Sequence, residues 1–361
     1  MSNIFTASRQ WASRPDDQRY LSLDELHAAV SQRRRESWTT QHRMADLRAL
    51  PTEGDDMRLV VKDMPRGREV ELTPTNWAFS QMCQRAGAPT SYLKTLPSEL
   101  AAINLQWGFE HCERTDDDGL ILAHENGDHT LTSIASTSYG RIWDEQVVES
   151  VRKVNVNGQW KVPSASYASK DPKRATTLYA SDRDVFIFLV DESRPIERGD
   201  EQLFRGFMAW NSEVGSASFG LTTFLYRYVC DNRIIWGATD VNELRIRHTG
   251  GAPDRFASEG ARYLEQYANE SPTIIEGQLK RAQEFEVAAD AKGVEGWLRS
   301  RGFTKTMATA ARAKAEEEPG NGRSLWNIIQ GITAEARSIV HTDARVDMER
   351  KAGDLMKFAV A

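Results

Sequence analysis

Three groups of residues carry side chains able to do chemistry. The first is Glu213 beside Ser212, with His248 further along. A carboxylate, a hydroxyl and an imidazole brought into one pocket would serve acid–base or nucleophilic catalysis. The same stretch, 207–248, also holds Asn211, Gly215, Cys230 and Asn232 among aromatic and β-branched residues. Buried polar groups must find hydrogen-bond partners. The first expectation for Asn211, Ser212, Glu213, Gly215, Cys230, Asn232 and His248 is therefore a structural polar cluster that holds strand ends, with no catalytic residue assigned.

The second group runs from Glu110 to His129, where seven acids face a single Arg114 and His111, His124 and His129 are interspersed. Carboxylates and imidazoles are competent metal ligands. No HxxxH or HExxH spacing is present, and Asp116-Asp117-Asp118-Gly119 reads as a turn before the strand GLILA. No metal and no cofactor is assigned.

The third group is electrostatic. From Val151 to Arg183 the chain carries Arg152, Lys153, Lys161, Lys170, Lys173, Arg174 and Arg183 against only Asp171 and Asp182, with Trp160, Tyr167 and Tyr179 interleaved. Cations that track a backbone, with aromatic rings for base stacking, are what single-strand binding requires. Arg227, Arg245 and Arg247 would extend that surface if their strands lie alongside. The bland alternative is a basic hairpin facing solvent.

The elements that must position these groups follow from hydropathy patterning. Ser22 caps a helix from Leu23 with Glu25 at its third position, as in a capping box. Residues 57–72 read as two short strands joined through Pro65-Arg66-Gly67. Thr73 or Thr75 caps a helix carrying Trp77, Phe79 and Met82, broken at Gly87 and Pro89. Helix, turn, helix is a weak signal for duplex-DNA reading, since the same pattern is common in helical connectors. Asp144 caps an amphipathic helix with Val147, Val148 and Val151 inward, and Asn157-Gly158 suggests a hairpin turn. Residues 185–190 and 219–230 are strands, the latter apolar on both faces and so expected in a sheet covered on both sides. Beyond Asp254 the period becomes helical. These signals give an α+β chain: a central, mostly antiparallel sheet in a β-rich core domain (111–252), an N-terminal arm and small helical or hairpin region (1–110), and a C-terminal helical region (253–361).

Composition narrows the class. The 361 residues include 46 basic and 52 acidic side chains, for a net charge of −6, which argues against a globally basic nucleic-acid binder but not against a local basic face. Cys83, Cys112 and Cys230 are widely separated, as in reduced intracellular thiols. The start lacks a signal-peptide apolar core, and no run approaches the roughly 18 apolar residues needed to span a bilayer. A cytoplasmic protein with no membrane association is expected. Phosphate-loop, dinucleotide-binding, nucleophile-elbow and zincin motifs are all missing.

The segments TPTNWAFSQMCQRAGAPTSYLKTLP, TSYGRIWDEQVVESV, AWNSEVGSASFGLTTFLYRYVCDNRIIWG, RIRHTGG and SLWNIIQGITAEAR, in this order, resemble the phage- and plasmid-associated domain-of-unknown-function family numbered 932. Asn211 to Gly215, Cys230-Asp231-Asn232 and Arg247-His248 carry the resemblance best; Arg233 departs from the small residue that follows Asn in the family. The resemblance implies a mobile-element protein and no established activity. Three readings stand: a single-stranded DNA or RNA binder, alone or as a homo-oligomer, that assists annealing, recombination or replication; a counter-defence or host-takeover protein that binds a host protein; and a metal-assisted enzyme using Glu213 and His248.

Overall fold

In the computed structural model, residues 15–53, 57–63, 67–113, 115–125, 127–163, 176–198, 201–227, 242–269, 272–318, 320–336 and 351–359 are described. The chain is α+β, built on two sheets and a C-terminal helical layer.

The first sheet has the order β2-β6-β7-β5-β4-β3, with β2 (Ser37–Arg43), β3 (Arg48–Pro51), β4 (Met57–Asp63), β5 (Arg68–Pro74), β6 (Asp118–Glu125) and β7 (His129–Ser136). All pairs are antiparallel except β5 with β7. Helices α2 (Asn76–Arg85), α3 (Thr90–Leu93) and α4 (Ser98–His111) fill the connection from β5 to β6. Met82, Leu105 and Phe109 from these helices share one core with Leu59, Leu72, Ile121 and Leu131 of the strands. Thr75 accepts a hydrogen bond from Ala78 N and so caps α2. The single-turn α3 is too short to act as a recognition helix, so the weak signal for duplex reading has no geometric counterpart here. This sheet takes strands from both sides of residue 110, with β6 and β7 following the helices.

The second sheet runs β1-β9-β10-β11-β12-β13, with β8 paired to β10. Its members are β1 (Arg19–Tyr20), β8 (Trp160–Lys161), β9 (Leu178–Ala180), β10 (Val185–Arg198), β11 (Glu201–Asn211), β12 (Phe219–Arg227) and β13 (Asn242–Ile246). β10 and β11 form a long hairpin that starts with Val185 opposite Asn211. Both faces are buried. Ile187, Leu189, Phe207, Phe219 and Leu221 pack beneath α1 (Leu23–Glu36) and α5 (Asp144–Val154), while Phe186, Phe188, Met208, Trp210 and Phe224 form the opposite layer. The period-2 alternation of β12 is thereby realised.

Two local readings change. Trp143, not Asp144, occupies the cap position of α5; its N–H donates to Gln146 Oε1 at 3.1 Å. Asn157-Gly158 closes no hairpin. Gly158 has φ +64 and its N–H donates to Asn155 O, so the turn ends α5 instead.

The C-terminal layer comprises α6 (Ala252–Arg255), α7 (Ala261–Asn269), α8 (Pro272–Glu284), α9 (Ala291–Arg299), α10 (Lys305–Glu317) and α11 (Leu325–Ala336). Trp326, Ile328, Ile329 and Ile332 of α11 pack with Leu298, Ala308 and Ala311, and reach Ile196 and Leu203 of the second sheet. Among the described residues no helix is long and apolar enough to cross a membrane.

Candidate nucleic-acid interface

The most tightly specified polar assembly lies where α1, α5 and the end of β11 converge. Arg33 Nη2 is 2.7 Å from Asp144 Oδ2, and Arg33 Nε is 3.3 Å from Glu213 Oε1. Asn211 Nδ2 donates to Asp144 Oδ1 and to Ile142 O, both at 2.8 Å. Asp144 N donates to Glu213 Oε2 at 3.2 Å, and Arg141 donates to Glu213 O. Ser212 Oγ donates to Arg183 O at 2.6 Å, and Tyr139 Oη donates to Ser212 O at 2.9 Å. Asp144 is 1 % and Glu213 6 % exposed.

Burial pushes the Asp144 carboxyl well above its usual range, and the adjacent Glu213 carboxylate adds to the shift. Burial pulls Arg33 down, but Glu213 and Asp144 outweigh it and the guanidinium is raised. Arg141 is lowered and Tyr139 raised, each chiefly by burial.

The turn after Asn211 also ties the second sheet to the first. Trp77 Nε1 and Gln81 Nε2 of α2 both donate to Val214 O, at 2.9 and 3.0 Å, while Gln81 Oε1 accepts from Ile134 N of β7. Gly215 has φ +86, a conformation natural to glycine, and an added Cβ there would touch the Tyr139 ring.

His248 sits beside this assembly without joining its carboxylates. Its Nδ1 lies 3.1 Å from Gly140 O and its ring stacks on Tyr139 at 5.1 Å. Burial lowers its pKa. Among the described residues Glu213 and His248 form neither a hydrogen bond nor an ion pair, and no group of three or more His, Cys, Asp or Glu side chains is arranged to hold a metal. Cys230 and Asn232 lie outside the described residues.

The structure divides the basic, aromatic-interleaved stretch. Trp160 and Tyr179 are each 1 % exposed. Trp160 packs on Phe207 and Tyr267, and Tyr179 stacks on Phe186, so both rings are core and neither offers a face for a base. The expectation of stacking by these two is corrected: alternation in a doubly covered sheet takes them inward. Arg152, Lys153 and Lys161 remain at the surface, around an open depression of about 660 Å³ between the start of α1, the end of α5 and β8. Arg152 is held by Asp24 at 2.9 Å and Glu149 at 3.1 Å. Among the described residues no ion pair engages Lys153 or Lys161. Tyr167, Lys170, Lys173 and Arg174 lie outside the described residues.

Arg245 and Arg247 do not continue this surface. Among the described strands β13 lies at the end of the second sheet, and β11 and β12 separate it from β10, which pairs with Lys161. Arg245 pairs with Glu243, and Arg247 is exposed beyond the strand end. Arg227 lies on β12 opposite Leu203.

A family model described as a domain of unknown function (DUF932) matches residues 130–335. The chain belongs to this family. The DUF932 match spans α5, all strands of the second sheet after β1, and the helices through α11. It therefore includes Asp144, Asn211, Glu213 and His248 but leaves out Arg33, which the preceding region supplies. No curated protein and no solved structure matches the chain.

Several residues of the buried assembly carried no recognisable signal in sequence. Arg33 sits in the Arg33-Arg34-Arg35 run in the last turn of α1, where the helix dipole favours cations whether or not they are buried, and Asp144 looks in sequence like an ordinary helix-starting acid. Arg34 stacks over Trp143 at 3.6 Å, a contact between α1 and the residue before α5. The one available clue was the density of polar and aromatic residues in Tyr139 to Asp144 directly before an amphipathic helix.

Proposed function

We propose that the protein binds single-stranded nucleic acid through the depression bounded by Arg152, Lys153 and Lys161. The observation that supports this reading is the pair Lys153 and Lys161, exposed, unengaged by any described carboxylate, and set on the rim of one concave surface. Cations of this kind exchange counterions for phosphates, so affinity falls steeply with salt. On an acidic chain of net charge −6, such a local surface confines phosphate contacts to one place. The family resemblance points to a phage, prophage or plasmid setting in the cytoplasm, where a single-strand binder would assist annealing, recombination or replication.

Fluorescence anisotropy with labelled single strands at low and moderate salt tests this. Binding at micromolar protein that weakens in Lys153→Ala/Lys161→Ala supports the reading. Absence of binding at low salt, or equal binding by the double variant, removes it.

A second reading, recognition of a host protein, is favoured by a separate feature. Leu100, Ile103 and Trp107, at 48, 64 and 63 % exposure, form a stripe along the outer face of α4. Exposed apolar side chains at this spacing on one helix suit a protein partner better than a phosphate backbone. Capture from host lysate that is lost in Ile103→Ser/Trp107→Ser would support it; recovery of background alone would count against it.

A further inference from the structure

The same depression has a second chemical character. Beneath its cationic rim it is lined by Leu21, Val156, Trp160, Val162, Leu178 and Leu189. Leu21 and Val156 stand out at the mouth, at 39 and 82 % exposure, whereas the other four belong to the core beneath. A phosphate backbone alone gains nothing from an apolar cleft. An unstacked base does, because its faces are apolar and its strand keeps the phosphates at the rim.

Resting on the single-strand reading above, we infer that this depression is a base slot: Leu21 and Val156 flank one extruded base while Lys153 and Lys161 meet the adjoining phosphates. Below the lysine rim, the polar side chains that reach the surface of the slot are engaged; the Trp160 indole N–H has no partner among the described residues but is itself buried. Asn155 Nδ2 donates to Trp160 O at 2.8 Å and Asn155 Oδ1 accepts from Trp160 N at 2.9 Å. Ser22 Oγ accepts from Glu25 N at 3.1 Å as the cap of α1. Asp24 and Glu149 are held by Arg152. With these groups engaged, the slot takes a base by shape and apolar contact without reading its edge, and it accepts different bases alike. A paired base cannot enter, so the slot also selects single strands over duplex.

The test compares a labelled oligothymidylate with an abasic strand of equal length and charge, by anisotropy at low salt. Aliphatic side chains hold a base more weakly than an aromatic stacking platform does, so the intact strand is expected to bind on the order of fivefold more tightly. In Leu21→Ser/Val156→Ser, two exposed positions whose change leaves charge untouched, the intact strand weakens towards the abasic level and the abasic strand binds as before. A circular dichroism spectrum matching the parent confirms that the variant is folded. Equal affinity of the parent protein for both strands overturns the base slot while leaving backbone binding in place. Failure of both strands to bind overturns the single-strand reading itself, and the slot with it.

Discussion

Arg33 and Asp144 stand 111 positions apart in the chain and meet at 2.7 Å inside the protein. Glu213 completes the arrangement, so one guanidinium from α1 serves two buried carboxylates from α5 and the turn after β11. A buried ion pair adds little when compared with a well-packed apolar replacement, but breaking one leaves an uncompensated charge and is strongly destabilising.

Replacing Arg33 therefore has a defined cost. Arg33→Met removes the cation and keeps most of the side-chain volume. A loss of about 3–5 kcal/mol of folding stability is expected, read as a lower denaturation midpoint in urea.

The same cluster gives a pH dependence with a definite sign. The Asp144 carboxyl is raised in the folded protein by burial and by Glu213. The folded state thus holds this proton to higher pH than the unfolded chain, whose Asp titrates near ~3.9. Stability from this group is fully present below that unfolded value and is lost as pH rises through the folded one. In denaturation series at stepped pH, the stability difference between the parent and Asp144→Asn should shift against the parent as pH climbs above the ordinary carboxylate range. A difference that stays flat with pH would contradict the assignment.

Lys153 and Lys161 should act as phosphate contacts. Each neutralised phosphate contributes about 0.7 to the logarithmic salt slope for a single strand. Lys153→Ala/Lys161→Ala is expected to lower that slope by about 1.4 as well as the affinity at low salt, as measured by anisotropy titrations at several salt concentrations. Folding stability should change little, within about 0.5 kcal/mol, since both residues are exposed.

The close fit of the second sheet makes Gly220 irreplaceable. It pairs with Trp210 across β11 and β12, and an added Cβ would collide with the indole ring. Gly220→Ala is expected to cost about 3 kcal/mol, at the upper end for overpacking of a core, seen as a reduced thermal midpoint.

Elements with local signals were legible in the sequence. Ser22 and Glu25 mark the start of α1 through short-range chemistry; the Ser22 cap forms as expected, while the Glu25 carboxylate accepts from Leu21 N in place of Ser22 N, so the capping box is not closed. β10 and β12 show in their apolar runs. Partnerships between distant segments were not legible. Nothing in Gly119 to Ser136 tells that these strands pair with Ser37 to Arg43 and not with the hairpin of β10 and β11. Trp160 and Tyr179, interleaved with cations, look the same in sequence whether a sheet face is wet or covered; Trp160 lies on the face beneath α1 and α5, and Tyr179 in the opposite aromatic layer with Phe186. Asp144 reads as a helix-starting acid because its other partners, Arg33 and Asn211, are remote in the chain.

The pairing of Arg19 with Tyr179 bears on how the molecule is made. β1 and α1 are translated well before the strands and the α5 helix that they rest against. At ~5–20 residues per second, on the order of ten seconds pass with Leu26 and Val30 uncovered. The first sheet can fold during that interval, while the leading segment must wait in solvent or in the hands of a chaperone. A chain synthesised without its first strand and helix would lack Arg33 and should yield a second sheet prone to aggregate, even though the whole family-matched region is present.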